Sequence, residues 1–218
     1  QRYKVVYLKS HFGKKGEHVL RVEAVPKGGY RYSYYRYESL TSKFLSGFKD
    51  LLNTIHNFFQ GKRFIAQQGI ELPKIKNKLI DMRAEVQRNG EGNLDILGIS
   101  VRYGRLDSPI TTHGGVFKFE DFFVRYMGYS SKEMEDLRSV CQEFLFSVYE
   151  CIEKYCGRYA EIGIDFAIDS NNKIWFIEAN SQSTQVSLKK AYGKEAIHRY
   201  YKNILEYARY LYKESRKG

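Results

Sequence analysis

Apolar residues recur at two spacings along the 218-residue chain, and the spacings divide it into strands and helices. Residues 4–9 and Val19–Val25 alternate like strands, with a glycine-bearing loop, His11 to His18, between them. Pro26-Lys-Gly-Gly29 is a turn cluster, and Tyr30–Tyr37 predicts the return strand of a hairpin. Phe44, Leu45, Phe48, Leu51, Leu52, Ile55, Phe58 and Phe59 fall at helical spacing, which predicts a helix capped by Thr41 and stopped by Gly61. Arg63–Gln67 predicts a short strand running into a connection at Gln68-Gly69-Ile70. Leu79–Gln87 and Leu94–Tyr103 predict two strands joined by the turn Asn89-Gly-Glu-Gly92, and Thr111–Gly115 is polar loop. Ser130-Ser-Lys-Glu133 has the form of a capping box. It opens a long helix with Met134, Leu137, Cys141, Phe144, Leu145, Val148 and Ile152 on its apolar stripe, ended by Gly157. A polar loop, Ser181–Ser187, precedes a last amphipathic helix from about Lys194 to Lys213. Two strand–helix groups joined near residues 68–72 predict two α+β lobes, over residues 1–70 and 71–218, with a cleft between them.

The most pointed pattern lies between those last two helices. Glu161–Asp169 alternates apolar and polar residues with period two, and Ile174–Asn180 follows it after Ser170-Asn171-Asn172-Lys173. Asparagine tolerates positive φ, so Asn171 and Asn172 suit a two-residue hairpin loop. That register sets Asp165 directly opposite Glu178, and Asn180 opposite Gly163. Ile164, Phe166, Ile168, Trp175 and Ile177 then take the other face, toward a core. Like charges facing each other on one sheet face repel. Either this face is solvated and carries a modest cost, or an oxygen-ligated divalent cation reverses the sign. Asp, Glu and the Asn amide oxygen are all donors that Mg²⁺ accepts.

Composition narrows the classes. No apolar run approaches a membrane span and no secretory segment opens the chain, so no membrane partner is expected. The chain starts on Gln1 and enters a strand at once, which reads as part of a longer protein. Cys141, Cys151 and Cys156 form no paired motif and all lie in a helical pattern, which predicts buried thiols in a reducing cytoplasm. A net charge of +11 favours an acidic partner such as a nucleotide. The tyrosine–arginine stretch Tyr30–Tyr37 has the composition of a base-stacking platform, yet packing against a neighbouring element is the expected role, and nucleic acid is not the expected partner.

Three further segments bear on chemistry. Lys9 ends a strand, followed by Gly13-Lys14-Lys15-Gly16 and then a second strand, which excludes a Walker A loop but leaves a phosphate-covering loop or an ordinary hairpin loop. Asp81 and Arg83 share one strand face, where Arg offers a planar fork for phosphate or carboxylate, or a cross-strand ion pair. The five histidines are scattered and have no zinc spacing.

In this order the pieces resemble the ATP-grasp superfamily, and closely its YheC/YheD-type family associated with the endospore coat, over nearly the whole chain. The resemblance implies an ATP-grasp fold with the N-terminal part of its first lobe missing. It also implies ATP and Mg²⁺ as cofactors. Lys9 matches the nucleotide-contacting lysine, and Gly13 to Val19, with Lys14, Lys15 and Gly16, matches the phosphate loop. Gln67, Gln68 and Ile70 match the inter-lobe segment whose backbone holds adenine. Arg83 matches the phosphate-reaching catalytic arginine, Thr111–Gly115 resembles the Thr and Gly-Gly loop, and Asp165, Glu178 and Asn180 match the metal ligands. The implied activity is a carboxylate–amine type of ligase acting through an acylphosphate on an unidentified acidic or carboxylate acceptor, in the cytoplasm or on the spore. The alternative is a non-catalytic spore-coat protein that keeps the fold. Departures are Ser10 where Pro is usual, Glu17-His18 in place of a third glycine, Gln68 for Glu, and Ser181-Gln-Ser-Thr184 where the substrate loop carries Pro or Gly.

Overall fold

The computed structural model describes residues 3–11, 18–36, 39–106, 108–111 and 114–217. The chain is α+β, with antiparallel pairing throughout the registers of its two sheets. It forms two compact units, one of residues 1–79 with 103–114, the other of 80–102 with 115–218.

In the first unit, strands β1 (Val5–Ser10), β2 (Val19–Ala24), β3 (Tyr30–Arg36), β4 (Ser39–Leu45) and β5 (Phe64–Gln68) form a sheet in the order β4-β3-β2-β1-β5. Helix α1 (Phe48–Phe59) buries Leu51 and Phe59 against Leu8, Leu20, Val22 and Tyr32. Each such side chain contributes about 1.5–3 kcal/mol. The helix expected from Thr41 starts seven residues later than its predicted cap, because residues 39–45 pair with β3 from Arg36↔Ser39 to Tyr30↔Leu45. Phe44 and Leu45 satisfy both a helical stripe and a strand alternation, and the ladder to β3 decides between them. Gly47, extended at φ −121°, is the observed N-cap. Gly29 permits the approach of β4: a Cβ there would lie 2.5 Å from the Leu45 carbonyl oxygen. The tyrosine-rich strand packs on the helix, with Tyr34 and Phe58 ring centroids 5.0 Å apart.

β6 (Lys74–Ile75) pairs with the start of β7 (Lys78–Arg88), which with β8 (Leu94–Tyr103) carries the chain into the second unit. There β9 (Gly115–Lys118), α2 (Phe119–Met127), α3 (Ser131–Cys156), β10 (Glu161–Ile168), β11 (Ile174–Asn180) and α4 (Val186–Glu214) follow. Strand order is β11-β10-β7-β8-β9. The capping box is present at Ser130 and Glu133, and Gly157 ends α3. Two helical segments escaped the periodicity. α2 is short, its Phe119, Phe122 and Phe123 all buried. α4 begins at Val186, inside the expected loop, and breaks at Gly193 (φ 80°, ψ −164°) before the predicted helix. Cys141 is buried, as expected, but Cys151 and Cys156 are exposed, since they fall off the core-facing stripe of α3. No helix among the described residues is long and apolar enough to cross a membrane.

Both faces of β7 are covered. Ile80, Met82, Ala84 and Val86 are buried on one face; Asp81, Glu85 and Gln87 are buried on the other, with Arg83 beside them. α3 covers the first face through Phe144 on Phe166 of β10 (6.1 Å between centroids). α4 and the loop before it cover the second, where Gln87 Nε2 donates to the Tyr200 carbonyl at 3.2 Å.

Candidate functional site

Asp165 does stand opposite Glu178, and Gly163 opposite Asn180. The route differs from a two-residue loop. Asp169 closes a longer turn, its N–H donating to the Lys173 carbonyl (3.0 Å) and its carboxylate accepting from the N–H groups of Asn171 (2.8 Å) and Lys173 (3.0 Å). Only Asn172 of the loop has positive φ, 60°. Trp175 Nε1 donates to the same carboxylate at 2.7 Å and fixes the turn. Pairing then runs Ile168↔Ile174, Ala167↔Trp175 and Phe166↔Phe176, and a bulge at Ile177 restores Asp165↔Glu178. Phe176, not Ile177, therefore faces Phe166, and Trp175 and Ile177 are half-buried rather than in the core.

β7 lies on the other side of β10, with Arg83 opposite Asp165 and Glu85 opposite Gly163. Arg83 grips Asp165 with both prongs of its guanidinium, Nε to Oδ1 and Nη2 to Oδ2 (3.0 Å). Arg102 Nη2 reaches the same Oδ2 at 3.1 Å, and Arg102 binds Asp81 bidentately at 2.7 Å and 2.7 Å. The third nitrogen of Arg83 donates to Ser183 Oγ (3.2 Å), whose hydroxyl donates to Glu85 Oε1 (2.7 Å). Two arginines and three acids thus form one chain of charge-assisted bonds across three strands. Gly163 leaves the room for it: a Cβ there would meet Ser183 Oγ at 2.9 Å and Arg83 Nη1 at 3.1 Å.

Sequence reasoning found Asp81, Arg83 and Asp165 but missed Arg102, Glu85 and Ser183. Glu85 had a signal, since Asp81, Arg83, Glu85 and Gln87 alternate on one strand face. Arg102 and Ser183 become visible only when the strands and the loop are brought together.

Burial opposes ionisation of Asp165, but the charges of Arg102 and Arg83 outweigh it and hold the carboxyl below its usual range. Arg83 and Arg102 are held protonated the same way, burial being overcome by Asp165 for the first and by Asp81 and Asp165 for the second. Glu85 goes the other way. Its burial pushes it up to about 7, despite the Ser183 bond and the Arg83 charge.

Asp165 is 4% exposed, Glu178 is exposed, and Asn180 is half-buried, its amide nitrogen 3.5 Å from Glu178 Oε1. The donor set fits a hard divalent cation: two carboxylates on paired residues of adjacent strands, plus an amide oxygen two residues along. A carboxylate has about four acceptor positions, and the arginines take three on Asp165.

The other expected residues lie in the first unit. Lys9 is half-buried in β1 between Val19 and Ile65, and Gln67 of β5 pairs with Tyr7. Gln68 ends β5 opposite Val6, and Gly69 follows, its N–H bonded to the Val5 carbonyl (2.8 Å); the Ile70 carbonyl accepts from Leu72 N–H (2.9 Å). Gly13, Lys14, Lys15 and Gly16 lie outside the described residues, as do Thr112 and His113.

Comparison with known proteins finds a family model described as YheC/D like ATP-grasp that matches residues 1–211. The endospore coat-associated protein YheD of Bacillus subtilis (strain 168) is 27% identical over 183 residues, which is 83% of this chain and 40% of that protein. The matched segment is therefore about two fifths of the length of that curated relative.

Proposed function

Because this chain belongs to the YheC/D-like ATP-grasp family, we propose that it is the ATP- and Mg²⁺-binding part of a ligase-like enzyme. Lys9 and Arg83 would contact phosphates, the backbone at Gln67, Gln68 and Ile70 would hold adenine, and Gly13–Gly16 with Lys14 and Lys15 would cover the phosphates. Asp165, Glu178 and Asn180 would hold Mg²⁺, which when bound neutralises polyphosphate charge. The observation that carries this reading is the alignment of Asp165, Glu178 and Asn180 on one sheet face with Arg83 directly alongside. On this reading Arg83 exchanges its hold on Asp165 for a phosphate oxygen, and that donor stabilises charge on the transferring group. A carboxylate oxygen of the acceptor would attack the γ-phosphorus as ADP leaves. An amine would then attack the acyl carbon, lose a proton and displace phosphate. The protein would work in the cytoplasm, and spore association enters from the relative's name.

Acylphosphate chemistry is tested by incubating the full-length protein with ATP, Mg²⁺ and a panel of amino acids and peptides in hydroxylamine, which traps acylphosphates as hydroxamates. Hydroxamate accompanied by stoichiometric ADP supports the reaction. ATP binding without turnover on any acceptor favours a second reading, a non-catalytic spore-coat protein that keeps the fold. That reading draws on the relative's name and on Ser183 of the altered loop, which is buried against Glu85 rather than presented to an acceptor.

A further inference from the structure

Beyond its break at Gly193, α4 runs uninterrupted to Glu214. It buries Tyr200, Asn203 and Tyr207, and Ile197 and Ile204 pack beside Tyr200 on Leu97 and Leu188. Its outer side carries a second apolar row. Tyr201 is 55% exposed, Leu205 71% and Tyr212 56%, and the exposed Ala208 completes the row. Scattered apolar residues on a surface are ordinary. These four stand at i, i+4, i+7 and i+11, so they form one line along the helix, about 16 Å long.

This alternating spacing is the seam of a helix that packs lengthwise on another helix. At about 100° per residue the row covers roughly 60° of arc. Helices that lie on a membrane surface present a wider apolar face. One flank of the seam is basic: exposed Lys202 and Arg209 stand at i and i+7 in the column beside it, and Arg216 follows in the turn after the helix. Lys202 meets Glu206 of its own helix only at 3.7 Å, with its side chain 70% exposed. Glu195, in the same column, falls before the seam begins. The other flank is Ile197, Ile204 and Leu211, and neither flank holds an acid between residues 197 and 214. A second copy of the chain therefore matches poorly. Antiparallel pairing sets the basic column against itself, and parallel pairing sets it against the apolar flank of the copy.

We propose that the outer side of α4 docks an amphipathic helix of a partner protein, with its apolar seam on Tyr201, Leu205, Ala208 and Tyr212 and its acidic flank on Lys202 and Arg209. Ala208, small between Leu205 and Tyr212, leaves room for one large apolar side chain of that helix. The apolar contact supplies affinity, and the basic column selects the acidic partner. The chain's charge of +11 draws such a helix in.

The test uses the full chain and a fluorescein-labelled peptide of three heptads, with Leu at both seam positions and Glu at both flanking positions, whose own charges oppose self-pairing. Saturable binding by fluorescence anisotropy is expected, and the same peptide with Lys in place of Glu should bind at least about tenfold more weakly. Lys202→Glu with Arg209→Glu should reverse that order of preference. Leu205→Glu should abolish binding of the Glu peptide and leave the circular-dichroism melting curve unchanged, because Leu205 faces solvent. Absence of saturable binding, or equal binding of the two peptides by wild type, overturns the proposal. Capture by phosphatidylglycerol vesicles without peptide binding overturns it in favour of a membrane surface. A dimer in sedimentation that Leu205→Glu dissolves overturns it in favour of a second copy.

Discussion

Glu85→Gln should make the second unit more stable at alkaline pH and flatten its pH dependence. Glu85 is 2% exposed and its carboxyl is raised from an ordinary 4.5 to about 7 by burial. A raised acid favours the folded state while protonated; the unfolded chain releases the proton first, so stability falls as pH rises toward 7. At about 1.4 kcal/mol per pH unit, the folded state gives up about 2 kcal/mol between pH 5 and pH 7 and about 2.5 kcal/mol by pH 8, where the loss levels off. Glutamine keeps the shape, and its carbonyl still accepts from Ser183, but it has no proton to lose. Trp175, the one tryptophan, lies in β11 of this unit and reports its unfolding by fluorescence. Urea denaturation of both proteins at intervals from pH 5 to pH 8.5 isolates the Glu85 contribution, because Asp165 and Glu161 contribute equally to each. The variant should exceed wild type by only about 1 kcal/mol at pH 5 and by about 3 kcal/mol at pH 8. Parallel pH profiles, or a variant less stable than wild type at pH 8, would refute the assignment.

Other perturbations follow from the same contacts. Arg102→Leu removes the bidentate arginine on Asp81 and one of the two arginines on Asp165; urea denaturation at pH 7 should show a loss of about 3–5 kcal/mol. Gly163→Ala pushes a methyl group against Ser183 and Arg83, so it should cost about 1–3 kcal/mol, and a crystal structure should show Ser183 displaced from Glu85. Ser130→Ala removes the hydroxyl that caps α3 and should cost about 1 kcal/mol in the same denaturation assay.

Much of the site was legible because hairpin alternation is a local property. The pairing of Asp165 with Glu178 follows from two strands and a turn, even though the turn is one residue longer and a bulge at Ile177 compensates. That compensation depends on the Asp169 carboxylate and the Trp175 indole, which no turn rule for Asn-Asn contains. The capping box of α3 was readable for the same reason: its two partners are three residues apart. The arginine network was not readable as a whole. Four polar residues alternating on β7 predict a solvent face, and only the docking of α4 and Ser183 turns that face into a buried layer. β4 was misread because Phe44 and Leu45 suit either period, and the choice falls to a ladder with residues up to fifteen positions away.

The central claim is that Glu178, with Asp165 and Asn180, holds the metal that accompanies ATP. Isothermal titration of ATP into the chain with and without Mg²⁺, repeated on Glu178→Gln, tests it most directly. Glu178 is exposed, so the variant should retain the wild-type Trp175 unfolding midpoint within about 0.5 kcal/mol. Wild type should bind ATP at least about tenfold more tightly with Mg²⁺, and the variant should lose that dependence. Equal Mg²⁺ dependence in the two proteins, or none in wild type, would contradict the account.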